Sequence, residues 1–177
     1  MGRFVITDKD KEIKRVSDFC KFAKDIIPEK MFLWMINNDF FVAPASSKYH
    51  GAYEGGLYEH SIHVMELLKE YEKSGLFQFI DSRSATIIGL LHDICKIDLY
   101  AQNEQGYIYQ NDSLYKGHGS KSIELISQFM TLTEEEILCI RYHMGAYKQM
   151  NGICLTGQSE NIPPCYGHIR LIWLPAN

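Results

Sequence analysis

The sequence predicts a mainly α-helical protein that folds as a single domain over residues 1–177. Apolar residues return at steps of three and four along much of the chain, which is the period of a helix packed on one face. With 46% hydrophobic and 23% charged residues, 177 residues are enough for one domain with its own core. We expect the core to span about residues 11–148 and residues 149–177 to form an irregular tail.

The first predicted helix covers residues 11–27, because its apolar side chains share one stripe: Ile13, Val16, Phe19, Cys20, Ala23 and Ile27. A second, shorter helix is predicted over residues 31–36, after a break at Pro28. Residues 40–44 are expected to be extended because they lead into Pro44, and the residue before a proline avoids the α region.

The helical period returns over residues 57–71, after a glycine pair. The next helix is expected to have its N-cap at Asp81 or Ser82 and to run to Cys95. Residues 102–115 indicate a small β-hairpin, because a turn-forming Gln-Asn-Glu-Gln-Gly run precedes Tyr-Ile-Tyr.

Two more helices are predicted over residues 117–130 and 134–144, which gives five or six in all. The last one opens with Thr133 and Glu136, the spacing of a capping box. The tail after Lys148 has no helical period and contains a proline pair.

Charge and cysteine content narrow the classes of function. A net charge of −4 argues against an extended nucleic-acid surface or an anionic membrane surface, since both need clustered Lys and Arg. Five scattered cysteines without a C-x-x-C pair indicate neither a disulfide framework nor a zinc knuckle. The charged N-terminal stretch does not resemble a signal peptide, and no segment holds 18 apolar residues in a row. We therefore expect a cytoplasmic protein.

The histidines mark the candidate functional site. Residues 89–96 read Gly-Leu-Leu-His-Asp-Ile-Cys-Lys, which places an imidazole beside a carboxylate near the end of an apolar helix. Burying an unpaired carboxylate is costly, and a bound divalent cation removes that cost. Six of the seven histidines fall in short segments at predicted helix ends: 49–63, 89–96, 117–119 and 141–145. Reading them as ordinary core histidines leaves this clustering unexplained.

These motifs together resemble the HD-domain phosphohydrolases. The run Tyr-His-Gly-Ala-Tyr-Glu-Gly-Gly-Leu-Tyr-Glu-His ends at His60, and His-Asp-Ile-Cys-Lys begins at His92, in the family's order and spacing over roughly residues 40–150. The first run resembles a loop found in certain exoribonucleases and phage-type HD hydrolases. The resemblance implies an HD-type helical bundle and a metal-dependent phosphohydrolase in which a metal-activated water attacks a nucleotide or small phosphoester.

The resemblance also assigns metal ligands. His60, His92 and Asp93 resemble the ligands of a first ion, and His118 and His143 match positions that hold a second ion bridged by the carboxylate. The implied cofactor is one or two divalent transition-metal ions, which these donors allow to be iron, manganese, nickel, zinc or cobalt. A methionine follows His143 where many two-metal members have a second histidine, so the number of ions stays open.

The same resemblance indicates residues for catalysis and substrate binding. His92, Asp93 and Lys96 are the expected catalytic residues, and Lys96 resembles a lysine that contacts the phosphate. His50, in the first of these runs, is a further candidate for substrate contact, and Lys121 is another because its charge would offset that of the phosphoryl oxygens. The expected partner is a small phosphorylated molecule, a nucleotide or short oligonucleotide, and a homo-oligomer stays open.

The chain departs from the family pattern near its C-terminus. The family has a last helix that supplies an Asp ligand, whereas no Asp follows Asp112 here. One interpretation is a catalytically impaired HD-like module that binds a nucleotide or a partner. Another is a frame change near residue 150, because residues 159–176, back-translated and read one base out of phase, can encode a helix-like string with an Asp.

Overall fold

The computed structural model describes residues 4–110 and 117–144, and every structural statement concerns these residues. They form six α-helices, one 3₁₀ helix and one two-stranded sheet. The helices are α1 (Lys9–Ala23), α2 (Glu29–Asn37), α3 (Gly56–Lys73), α4 (Ser84–Leu91), α5 (His118–Ser127) and α6 (Glu134–Tyr142). The expected mainly α fold with a small hairpin is confirmed, while the predicted tail over residues 149–177 lies outside the described part of the chain.

Helix α1 is shorter than predicted at its C-terminal end. It begins after Asp8, whose carboxylate accepts a hydrogen bond from the amide of Lys11 at 3.0 Å. It stops at Ala23 because Asp25 adopts a left-handed conformation (φ +64°), which no α-helix continues. The apolar stripe is also narrower than predicted, since Ile13 is 59% exposed.

The segment expected to be extended is a turn in its first part. Asp39 has φ +65°, and its carbonyl accepts hydrogen bonds from the amides of Val42 (3.1 Å) and Ala43 (2.8 Å). This reversal after α2 directs Phe40 and Phe41 into the core, where both rings pack edge-on against another buried phenylalanine. The prediction for residues 40–42 was wrong because the proline rule constrains only the residue before Pro44.

Helix α4 crosses α3 at a glycine. A Cβ built on Gly89 would lie under 3.0 Å from backbone atoms of Met65 on α3, so the two helices approach as closely as they do only because position 89 has no side chain. Every residue of α4 is buried. The helix is therefore apolar on all sides because it is surrounded by protein.

Helix α4 ends earlier than predicted, at Leu91. His92 keeps helical dihedral angles, but Asp93 leaves the helix at φ −109° and ψ 14°. A 3₁₀ helix (Ile94–Asp98) follows, opened by a hydrogen bond from the Lys96 amide to the Asp93 carbonyl at 2.9 Å. The apolar residues Ala85, Ile88, Leu91 and Cys95 keep the helical period across the break, so the period does not reveal it.

The hairpin pairs β1 (Tyr100–Asn103) with β2 (Gly106–Tyr109) in antiparallel register, with Tyr100 opposite Tyr109. Its turn is closed by a hydrogen bond from the Gln105 amide to the Asn103 side chain at 2.9 Å. The predicted hairpin is confirmed, but it begins at Tyr100, and residues 102–103, expected in the turn, belong to the first strand. The hairpin directly follows the 3₁₀ helix.

Helix α6 packs against α4, and α5 packs against α6 and the 3₁₀ helix. The predicted capping box of α6 is present, with Thr133 and Glu136 bonded to each other's backbone amides. The other carboxylate oxygen of Glu136 accepts a hydrogen bond from the buried Ser84 hydroxyl at 2.9 Å, which joins α6 to the start of α4. Among the described residues, no helix combines the length and the apolar character that crossing a bilayer requires.

Candidate metal centre

Three histidines reach one buried carboxylate from three different helices. His60 lies in the first turns of α3, His92 follows the last residue of α4, and His143 follows the last residue of α6. Asp93, at the break after α4, is fully buried between them. The helix ends therefore converge on a single point.

The ligand atoms of His60, His92 and Asp93 all lie within 4.8 Å of one another. The Nε2 atoms of the two histidines are 3.1 Å apart, and each is 3.3 Å from Oδ2 of Asp93. Such a cluster of two imidazoles and one carboxylate is the donor set that divalent transition metals accept. The structure thus brings together the three residues that the sequence predicts as first-ion ligands.

A backbone contact fixes which nitrogen of His92 can bind a cation. Its Nδ1 lies 3.0 Å from the carbonyl oxygen of Gly89, and a carbonyl only accepts hydrogen bonds. Nδ1 therefore carries a proton, and Nε2, which faces His60 and Asp93, is the nitrogen that remains to bind a cation. His143 is oriented in the same way, with Nδ1 2.6 Å from the carbonyl oxygen of Ile140.

The charge states of the cluster suit a cation. Burial lowers the pKa of His60 to about 4, against the opposing effect of its contact with Asp93, so the ring is neutral and its lone pair is available. Burial by itself raises the pKa of the Asp93 carboxyl, but the charge of Lys96 and the neighbouring histidines outweigh burial and hold it well below its usual value. The residues present therefore fit a divalent metal ion.

Lys96 is part of the same cluster. Its ammonium nitrogen lies 2.8 Å from Oδ2 of Asp93, and the residue is only 7% exposed. A buried ammonium is tolerated because the carboxylate balances its charge. Contact between Lys96 and a phosphate stays a prediction, since in this structure the ammonium faces the carboxylate.

The two residues predicted to hold a second ion lie close to the centre but outside the compact group of three. Nε2 of His143 is 3.3 Å from Oδ1 of Asp93, the carboxylate oxygen that does not face His60. Nδ1 of His118 lies 3.9 Å from the sulfur of Cys95, and burial lowers the pKa of this histidine. A second ion stays a prediction.

Two further residues are predicted to contact the substrate, Lys121 and His50. Lys121 on α5 forms an ion pair with Asp98 at 3.1 Å. His50 is exposed, and its ring centroid is 6.0 Å from that of His60. Their contact with a substrate stays a prediction.

Arg15 on α1 supports the site and was not found from the sequence. Its guanidinium donates to the carbonyl oxygens of Glu54 (2.8 Å) and Phe41 (3.2 Å) and lies against Gly55, where a Cβ would overlap it. Gly55 precedes α3 at φ +83°, so this contact fixes where the helix bearing His60 begins. An arginine among other charged residues of an amphipathic helix gives no local signal of this role.

We expect the substitution Gly89→Ala to weaken both the fold and the metal centre. Alanine favours a helix over glycine by about 1 kcal/mol, but forcing an extra methyl group into a packed core costs typically about 1–3 kcal/mol. Relief of the clash with Met65 moves α4 away from α3 and hence His92 away from His60. Urea denaturation and metal titration measure the two effects.

The exposed Lys69 on α3 provides the control for that substitution, because Lys69→Ala leaves the crossing unchanged. Its effect on the free energy of unfolding is expected within about 0.5 kcal/mol. A Gly89→Ala protein as stable as the parent and with unchanged metal affinity would contradict the close crossing.

Cys95 is expected to resist alkylation in the folded protein. The residue is completely buried, and burial raises the pKa of its thiol to about 12, so almost no thiolate is present at pH 8. Cys20 is exposed on α1 and serves as the internal control. Peptide mass spectrometry after iodoacetamide treatment should find Cys20 modified and Cys95 unmodified, with both modified in urea. Rapid native labelling of Cys95 would show that its surroundings open.

A protein-family model described as "HD domain" matches residues 57–164, which is more than half of the chain. Searches of curated proteins and of solved structures found no match. The match begins just after the glycine pair that starts α3 and includes His60, His92, Asp93, His118 and His143. The chain therefore belongs to the HD domain family, within the superfamily of metal-dependent phosphohydrolases.

Proposed function

We propose that this protein is a metal-dependent phosphohydrolase that cleaves a nucleotide or another small phosphoester at the centre formed by His60, His92 and Asp93. The observation that carries the proposal is the convergence of two imidazoles and an ionised, buried carboxylate within 4.8 Å. Membership of the HD domain family supports the reaction class.

The chemistry follows from the donor set. When bound, a divalent cation supplies an activated water near neutral pH and withdraws charge from a phosphoryl oxygen. His60 and His92 would hold the ion through Nε2, and the backbone contact of His92 keeps its ring in the required orientation. Asp93 would supply the anionic ligand.

Lys96 would serve two purposes in this proposal. It compensates the charge of Asp93 while no substrate is present. Once a cation also binds the carboxylate, the ammonium can contact an incoming phosphate as well. There it would stabilise the negative charge that builds on the phosphoryl oxygens. The net charge of −4 favours a small substrate over a long nucleic acid.

A second candidate function is a nucleotide- or partner-binding module without turnover. Residues 113–177 contain no Asp, so the Asp ligand that the family resemblance implies has no counterpart within them, which favours the binding module. The close ion pair of Lys96 with Asp93 favours it as well, since the ammonium competes with a cation for Oδ2.

Metal analysis combined with an activity assay tests both candidates. The purified full chain is analysed by inductively coupled plasma mass spectrometry, stripped with a chelator, and reloaded separately with Mn²⁺, Fe²⁺, Co²⁺, Ni²⁺ or Zn²⁺. Each form is assayed on bis-p-nitrophenyl phosphate and on a panel of nucleotides. Hydrolysis that is lost on stripping and restored by a cation supports the hydrolase. Stoichiometric metal without turnover of any substrate supports the binding module.

A further inference from the structure

Residues 46–54, which we call the aromatic loop, display large rings to solvent. Tyr49 is 81% exposed and Tyr53 is 49% exposed, and His50 is exposed between them. Tyrosine rings usually bury most of their apolar surface, and exposed aromatic side chains grouped on one surface are typical of ligand contact. The aromatic loop lies before residue 57, where the family match begins.

The aromatic loop borders the metal centre. The ring of His50 lies 6.0 Å, centroid to centroid, from the ring of His60. The hydroxyl of Tyr53 donates to Glu59, the residue before His60, at 2.6 Å. A molecule whose phosphate occupies the centre therefore has the aromatic loop as its neighbour on the side of His60.

The backbone of the aromatic loop is held in place by its own hydrogen bonds. The Ser46 hydroxyl accepts from the amide of Tyr49 at 2.9 Å and donates to the carbonyl of His50 at 3.1 Å. The amide of Ala45 donates to the carbonyl of Gly51 at 2.8 Å, which closes the base of the loop. The rings are thus presented on an ordered backbone, which reduces the entropy lost when a ligand binds.

The C-terminal end of the aromatic loop is also anchored. The carboxylate of Glu54 accepts hydrogen bonds from the amide and the hydroxyl of Thr7, and it pairs with Arg15 at 3.5 Å. The loop is therefore fixed to the segment before α1 and to α1 itself, as well as to α3. Such anchoring is typical of a recognition surface that has to keep its shape.

We propose that the aromatic loop binds the base of a nucleotide, through stacking on Tyr49 with His50 alongside, while the phosphate lies at the metal centre. This inference rests on the proposed function for the position of the phosphate. Every nucleobase offers a flat π face, so stacking selects nucleotides over other phosphoesters without a base-specific hydrogen bond. It makes Tyr49 a specificity-determining residue that touches neither the metal ligands nor the phosphate.

The test compares two phosphate monoesters that differ by the base. Adenosine 5′-monophosphate and ribose 5-phosphate are titrated calorimetrically into the Mn²⁺-loaded full chain and its Tyr49→Ala variant. We expect the parent to bind the nucleotide more tightly, and Tyr49→Ala to weaken nucleotide binding by about tenfold, within the range that one base–aromatic stack contributes. Binding of ribose 5-phosphate should change by less than about twofold, since sugar and phosphate do not contact the ring.

Two further variants control the comparison. Tyr49→Phe keeps the ring and should bind the nucleotide as tightly as the parent. If Tyr49→Ala weakened binding because the hydroxyl or the loop structure was lost, the affinity would not return in this way. Ile80→Ala removes another highly exposed apolar side chain, 93% exposed and located between α3 and α4, and should leave both affinities unchanged. Circular dichroism confirms that each variant is folded.

The outcomes separate this inference from the proposed function. Equal weakening of both ligands in Tyr49→Ala, a parent that binds the nucleotide no better than ribose 5-phosphate, or a parent that binds neither would overturn the role of the aromatic loop. A protein that prefers the nucleotide through Tyr49 but hydrolyses no phosphoester would sustain the aromatic loop and overturn the hydrolase.

Discussion

Replacing Asp93 by asparagine should abolish metal binding and hydrolysis and, at the same time, destabilise the fold. The substitution removes the anionic ligand from the cluster and leaves the ammonium of Lys96 buried without its counter-charge. Breaking one partner of a buried ion pair costs about 3–5 kcal/mol. Urea denaturation in the presence of a chelator measures the loss of stability without the contribution of a bound ion, and plasma mass spectrometry measures the metal.

The double variant Asp93→Asn/Lys96→Met separates the two effects. With both charges removed, no buried charge is left unbalanced, so most of the lost free energy of unfolding should return. Metal binding should stay absent because the anionic ligand is still missing. An Asp93→Asn protein that retains a full equivalent of metal would contradict the centre, and a double variant as unstable as the single one would contradict the role given to the ion pair.

The second large effect is expected from His92→Ala. This substitution removes one of the two imidazoles but leaves the Asp93–Lys96 pair intact. Loss of one of three protein ligands should lower metal occupancy and hydrolysis to background, with circular dichroism showing nearly unchanged helix content. His92→Ala is thus expected to lose metal binding and hydrolysis, whereas Asp93→Asn is expected to lose stability of the fold as well.

His63→Ala is the matched control for His92→Ala. His63 lies one turn after His60 on α3, but it is exposed and does not belong to the compact group of ligands. Its replacement should change neither metal content nor activity. Full activity of His92→Ala would exclude the assigned centre, and equal losses in both variants would indicate a general perturbation of α3 and α4.

Local signals in the sequence predicted much of the fold. The apolar period located α3, and the Thr133 to Glu136 spacing located the start of α6, because both depend on neighbours within a few residues. The left-handed residues that end α1 and reverse the chain after α2 are aspartates, Asp25 and Asp39. Aspartate tolerates the left-handed region, but the sequence alone does not show which aspartates adopt it, so the turn at residues 40–42 could not be predicted from the proline that follows it.

The candidate site was predictable to a similar extent. The residue types and spacing indicated that His60, His92 and Asp93 meet, and the structure brings them together; their role as ligands stays a prediction. The pairing of Lys96 with Asp93 was not predicted, because it depends on the break in the helix at Asp93 and the 3₁₀ turn that follows. The support of Arg15 was not predicted, because it joins α1 to a loop far away in sequence. The family match confirms membership of the HD domain family and leaves the predicted branch untested.

The end of α4 has a consequence for any attempt to transplant this centre into another protein. Successive side chains on a continuous α-helix diverge by about 100°, a consequence of ~3.6 residues per turn, so a histidine and an aspartate in tandem are poorly placed to chelate one ion. Here the backbone departs from the helix at Asp93, and the two side chains come within 3.3 Å of each other. A His-Asp dipeptide placed in the middle of a helix would lose this short distance between the two ligand atoms. A transplanted site therefore has to include the helix terminus and the tight turn that follows it.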